Sequence, residues 1–94
     1  MRKSTHTPEY AALRLSLAAV RVGAGLSQRE LAAQLDVPHS WVAKVESGER
    51  RMDLVEFAWF CVACGTDPVI EASRFLSRHI QTQKGTTARR RARR

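Results

Sequence analysis

Residues 26–48, LSQRELAAQLDVPHSWVAKVESG, carry start and stop signals for two short helices joined by a tight turn. Ser27 is placed to cap the first helix, with Glu30 three residues on reaching back to the cap N–H and Leu26 and Leu31 spaced as a hydrophobic staple. Leu31 and Leu35 repeat at i and i+4, and the small Ala32 beside them lets a second helix cross closely. Asp36 falls at the turn, where left-handed dihedrals favour Gly and tolerate Asp or Asn. Pro38 suits the first position of the next helix, because its fixed φ is helical and its missing N–H would be unpaired there. Val42 and Val45 then turn inward, and Gly48 offers a left-handed stop.

The same grammar organises the rest of the chain into an all-α pattern. Thr7 and Pro8 open a helix over 8–24, with Leu13, Leu17 and Val20 on one face and Gly25 as its stop. The central helices span 28–35 and 38–47. Asp53 followed by Glu56, with Met52 and Phe57 as a second staple pair, starts a fourth helix that Gly65 ends near residue 64. Asp67 and Pro68 open a fifth, with Val69, Ile70, Ala72, Leu76 and Ile80 apolar, and order is expected to fade near Gln83. The chain thus divides into a flexible polar arm at 1–7, a domain at 8–83 and a disordered Arg-rich tail at 84–94, whose Gly, Thr and Arg cannot bury a core.

From Leu13 to Leu76 the sequence resembles the Cro/repressor-type (XRE-like) helix-turn-helix DNA-binding family. The resemblance rests on GLSQRELA, on VPHSWVAKVESGERR and on MDLVEF at the next helix start. Two departures are Asp36 in place of the usual turn Gly and Pro38 where a Ser or Thr cap is common. The family implies a compact five-helix, lambda-repressor-like bundle whose second and third helices form the helix-turn-helix. It also implies a face for each part. His39, Ser40 and Lys44, at the exposed start of the third helix, match base-contacting positions, and Trp41 matches one that touches base or backbone. Chemically, Lys44 donates to guanine O6 or N7, His39 to a purine acceptor, and Trp41 offers thymine methyls an apolar face. The alternative for Trp41 is packing on a neighbouring helix or a partner chain.

Gln28, with Ser27 beside it, matches the position where the family holds a backbone phosphate at a helix N-terminus, whose free N–H groups and positive dipole end attract an anion. Arg50 and Arg51 are further phosphate candidates, unless one pairs with Glu49, Asp53 or Glu56. The family also pairs the residues matching Arg21 and Glu46 beneath the motif, so this pair reads as structural support. On the fourth helix the resemblance turns Leu54, Phe57, Phe60, Cys61 and Cys64 toward the core. Val55, Trp59 and Val62 are left as an apolar stripe, which with Leu76 is expected to be a dimer interface unless the fifth helix or the C-terminal segment covers it.

Charge must be located before it is interpreted. The net charge of +7 is carried mostly by the ends: residues 84–94 hold six cations and no anion, and Arg2 and Lys3 add two more. Positions 4–83 balance eight basic against nine acidic residues. Nucleic-acid affinity therefore depends on a few well-placed cations, aided by basic arms. The tail reads first as a mobile cation cloud, and second as a segment for a minor groove or RNA.

Other classes are disfavoured. The length of 94 residues suits one small domain with tails and no separate effector domain. No apolar run approaches the ~18 residues of a membrane span and no secretory apolar region opens the chain, so no membrane role and a cytoplasmic location are expected. Cys61 and Cys64 read as core residues, since His6, His39 and His79 cannot complete a zinc site with them and no cation on their helix would lower a thiol pKa. No nucleophile–base set or phosphate loop is present, so neither enzyme chemistry nor a cofactor is expected. The leading expectation is a sequence-specific transcriptional regulator, a repressor that binds an inverted repeat of double-stranded DNA as a homodimer. Alternatives are an antitoxin that binds DNA and a toxin, and an adaptor or RNA-binding protein acting through its tail.

Overall fold

A computed structural model describes residues 7–80. The arm at 1–6, the expected end of order near Gln83 and the tail at 84–94 lie outside the described residues. Five helices follow one another: α1 Pro8–Gly23, α2 Gln28–Leu35, α3 His39–Ser47, α4 Leu54–Ala63 and α5 Pro68–His79. Each start except that of α3 is fixed by a side chain. Thr7 accepts from the Tyr10 N–H, Asp67 accepts from Val69, and both Ser27/Glu30 and Asp53/Glu56 form complete capping boxes. Such a cap is worth about 1 kcal/mol because it satisfies a donor the helix cannot.

Three helix ends share one solution. Asp36, at φ 58°, donates its N–H to Ala33 while Val37 donates to Ala32. These are the two bonds of a Schellman motif, and the same pair closes α1 at Gly25 and α4 at Gly65. Asp36 therefore does the work of the usual glycine. Leu26 and Val37, the residues just past two of these stops, pack against the core, so each turn also delivers an apolar side chain.

Leu17, Leu31, Ala32, Val42, Val45 and Phe60 form the buried core, joined by Cys61. It is built where α2 and α3 cross over α1 and α4. Each large side chain there contributes about 1.5–3 kcal/mol by leaving water. Leu13, Met52, Phe57 and Cys64 pack around it. The Tyr10 hydroxyl accepts from the Met52 N–H at 3.1 Å, tying the loop before α4 to the first helix.

Two expectations and one alternative need correction. Pro38 is the N-cap of α3 rather than its first helical residue, with extended ψ of 146° and no side-chain cap bond. Leu54 does not face the core: at 78% exposure it lies at the rim of a groove between α4 and α5. Nor does α5 cover the stripe. Val55, Trp59 and Val62 all remain exposed, and α5 itself buries no residue, with Val69, Ile70 and Leu76 open to solvent. For Leu54 and the stripe the physical reason is that α4 is apolar nearly all round, Glu56 apart, so periodicity alone does not say which side the core takes.

Gly48 carries two constraints at once. Its φ of 87° is left-handed, and a Cβ there would lie 2.9 Å from Arg14 Nε, whereas a Cβ on Gly25 meets nothing within 4 Å. Gly25→Ala is expected to cost about 1 kcal/mol from backbone strain, and Gly48→Ala about 2 kcal/mol or more because Arg14 must also move. Urea unfolding midpoints of the two variants measure the difference.

Candidate nucleic-acid interface

The site is built on one carboxylate. Glu46, near the end of α3, accepts from Arg21 Nε at 2.7 Å and Arg21 Nη2 at 3.0 Å, and from Gln28 Nε2 at 2.9 Å. Side-chain exposures of 13% for Arg21 and 7% for Glu46 place the pair well inside. Arg21 Nη1 also donates to the Leu26 carbonyl at 2.8 Å, and Arg14 Nη1 donates to the Glu46 carbonyl at 3.0 Å. One network thus joins α1, the turn before α2, the first turn of α2 and the last turn of α3. The hydrogen bond from Arg21 to Glu46 raises the guanidinium's pKa above its ordinary value, outweighing the effect of burial.

This arrangement sets what the surface presents. His39 and Lys44 are exposed and Ser40 is half-buried on the first turns of α3. Ser40 and Lys44 are four residues apart and share a face. Pro38 supplies no side-chain cap, although its carbonyl accepts from the Trp41 N–H at 2.9 Å. At the start of α2, Ser27 and Arg29 are exposed. The Ser27 hydroxyl accepts from the Glu30 N–H at 3.0 Å, and the Ser27 side chain also hydrogen-bonds the Glu30 carboxylate, so it is engaged within the capping box.

Several candidates are committed within the protein. Gln28 holds Glu46 through its amide nitrogen, so it links the ion pair to the helix end it was expected to offer a phosphate. Arg50 is paired with Glu56, at 3.1 Å from Nη1 and 3.0 Å from Nη2, while Arg51 is exposed. Trp41 is half-buried against the core, with the Arg50 guanidinium carbon 5.0 Å from its ring centre. Arg14 was not among the sequence candidates. It is seven residues before Arg21, two turns along the face that buries Leu17, and this spacing was the signal available.

The cysteines belong to the packing. Burial pushes the Cys61 thiol up to about 12, and it raises Cys64 as well, so both remain thiols at neutral pH. Among the described residues no cluster of three or more His, Cys, Asp or Glu side chains is arranged to hold a metal ion. Among the same residues no helix is long and apolar enough to cross a membrane.

Residues 12–73 match the family model for a Helix-turn-helix domain. The chain is also similar to a solved structure described as an XRE-family like protein from Pseudomonas syringae pv. tomato str. DC3000, with a TM-score of 0.73 and 44% sequence identity, over 77% of this chain and 88% of that one. The chain belongs to the XRE-like helix-turn-helix family. It is a DNA-binding regulator in the general sense that this family defines. Comparison with curated proteins gives no match. Within this family frame, α2 and α3 are the helix-turn-helix, and the Glu46 network lies directly beneath it.

Two stability outcomes follow. Glu46→Ala leaves the Arg21 guanidinium without its partner in a largely dry site and is expected to cost about 3 kcal/mol, with the double variant Arg21→Met/Glu46→Leu recovering part of that, as read by urea unfolding. The Glu30 carboxyl is held below its ordinary pKa by its hydrogen bonds with Ser27, and that of Glu56 by Arg50 and then by the Asp53 N–H. A depressed carboxylate contributes stability that is present above its unfolded pKa and is lost as pH falls through its folded one. The urea midpoint is therefore expected to hold near neutrality and to decline between about pH 5 and pH 3. Glu56→Gln should flatten part of that decline.

Proposed function

We propose that this protein is a sequence-specific transcriptional repressor that binds an inverted-repeat operator as a homodimer in the cytoplasm, with α3 in the major groove. The observation that carries the reading is the start of α3, where His39 and Lys44 are exposed and Ser40 half-buried above the Glu46 network. A helix so placed enters a major groove, and its polar side chains reach base edges there. The N-terminus of α2, with Arg29 and Arg51, supplies phosphate contacts, which position the protein without reading sequence, while Ser27 holds that helix start through its capping box. Half-sites would lie about one helical turn, ~34 Å, apart.

Two exposed apolar surfaces support self-association. Trp59, at 61% exposure, and Val62 border a hollow with Gln34 and Leu35, and Val55 continues the stripe. Leu54, Val69 and Leu76 line the separate groove between α4 and α5, of about 610 Å³, and Ala58 borders both. Apolar area on this scale in so small a domain favours a protein contact. Having two such surfaces also favours a second reading, in which one seats the other copy and one a partner protein such as a toxin. No catalytic role and no cofactor form part of the proposal, and the Arg-rich tail adds sequence-independent affinity.

Fluorescence-polarisation titrations at two salt concentrations test the reading, using DNA from the gene's own upstream region and scrambled DNA. Lys44→Ala is expected to abolish most of the preference for upstream DNA, a loss of about tenfold or more. A chain ending at Gln83 should instead lose affinity for both DNAs and show a shallower salt dependence. If only the truncation matters and neither DNA is preferred, the adaptor or RNA-binding reading replaces this one. Sedimentation of Trp59→Glu and Leu76→Glu separately identifies the surface that forms the dimer.

A further inference from the structure

Arg50 lies in the loop after α3, where a phosphate contact would be expected; its side chain is 39% exposed, yet both of its terminal nitrogens donate within the protein. Nη1 donates to the Arg51 carbonyl at 2.8 Å and to Glu56 Oε1 at 3.1 Å, and Nη2 donates to Glu56 Oε2 at 3.0 Å. The Arg50 N–H donates to the Lys44 carbonyl at 3.1 Å. Its guanidinium stands over Trp41, 5.0 Å from the ring centre. Glu56 is itself fixed, because Oε1 also accepts from the Asp53 N–H at 3.0 Å within the capping box of α4. The hydrogen bond from Arg50 to Glu56 holds the Arg50 pKa above its ordinary value and lowers that of Glu56. Trp41 also borders a small cavity of about 60 Å³ shared with Leu35, Val37, Glu56 and Trp59.

We propose that Arg50 is a positioning residue for base reading and not a phosphate contact: Glu56 pins its guanidinium over Trp41, which fixes the roll of α3 and so the direction of His39, Ser40 and Lys44. The inference rests on the proposed DNA-reading role of α3. Its physical basis is that α3 starts at a proline with no side-chain cap: the Trp41 N–H donates to the Pro38 carbonyl at 2.9 Å, and no cap side chain adds to that backbone bond. Trp41 stands in that turn, between the reading residues. A forked carboxylate pair below a cation–π contact is directional at both ends, so it constrains the indole in a way a single point charge does not.

The test compares full-length wild type with Arg50→Ala, Arg50→Lys and Glu56→Gln. Each is titrated by fluorescence polarisation over a salt series against DNA selected by the wild type from a random pool and against scrambled DNA. Glu56→Gln keeps an oxygen for the Asp53 N–H, and thermal melts monitored by circular dichroism establish that each variant is folded. All three variants are expected to lose about tenfold in the ratio of affinities for the two DNAs. For Arg50→Ala the affinity for scrambled DNA and its salt slope should match wild type. Arg50→Lys tests the geometry, since it retains the charge but lacks the planar fork. The proposal is overturned if Arg50→Ala weakens both DNAs equally and reduces the slope by about 0.9, the signature of one lost phosphate contact. It is also overturned if Arg50→Lys or Glu56→Gln retains the wild-type ratio. A wild type that selects no sequence from the pool refutes the DNA-reading function itself, a result distinct from either of these.

Discussion

The carboxylate of Glu46 is the point on which the other parts converge. Arg21 from α1 and Gln28 from α2 both donate to it, and Arg14 donates to the same residue's carbonyl. Without these bonds, two short helices of eight and nine residues would be held by apolar contacts alone. Apolar contacts are non-directional and do not select one crossing angle, whereas a forked guanidinium–carboxylate pair does. The value of a pair this dry lies in orientation more than in net stability. For a DNA-binding regulator, the angle at which α3 stands out from the body determines what its side chains can reach.

Charge in this protein is divided between support and display. Arg14, Arg21 and Arg50 each serve another part of the protein, while Arg29, Lys44 and Arg51 are exposed near the motif. The near balance of charge across positions 4–83 is thus a poor guide to the field over α3, because several cations are already spent on acceptors within the fold. A parallel division holds for apolar groups. Phe60 and Cys61 complete the core, and the other sides of α4 are left to the two surfaces that flank Ala58.

The features most legible in the sequence were those decided within a few residues. Ser27 with Glu30 and Asp53 with Glu56 are capping boxes whose partners are three residues apart, and Asp36 takes the left-handed turn its position required. The pairing of Arg21 with Glu46, 25 positions apart, was not derivable from spacing. Family resemblance supplied it, and the geometry bears it out. Leu54 was misplaced because α4 is apolar nearly all round, and Arg14, although its spacing from Arg21 put it on the same face, was missed because that spacing does not say which carbonyl it will find.

The sequence by itself determined the starts of α1, α2, α4 and α5 and the left-handed stops at Gly25, Asp36, Gly48 and Gly65, because caps, prolines and such stops act through local backbone geometry. It also determined that the motif would be a helix-turn-helix, since the turn length and the apolar positions on either side leave little else. Only the tertiary structure decided which cations remain available to a ligand, that Trp41 lies beneath Arg50, and which sides of α4 and α5 stay open. Those outcomes depend on side chains from distant positions competing for the same acceptors and the same buried space. That competition is resolved only when the helices pack.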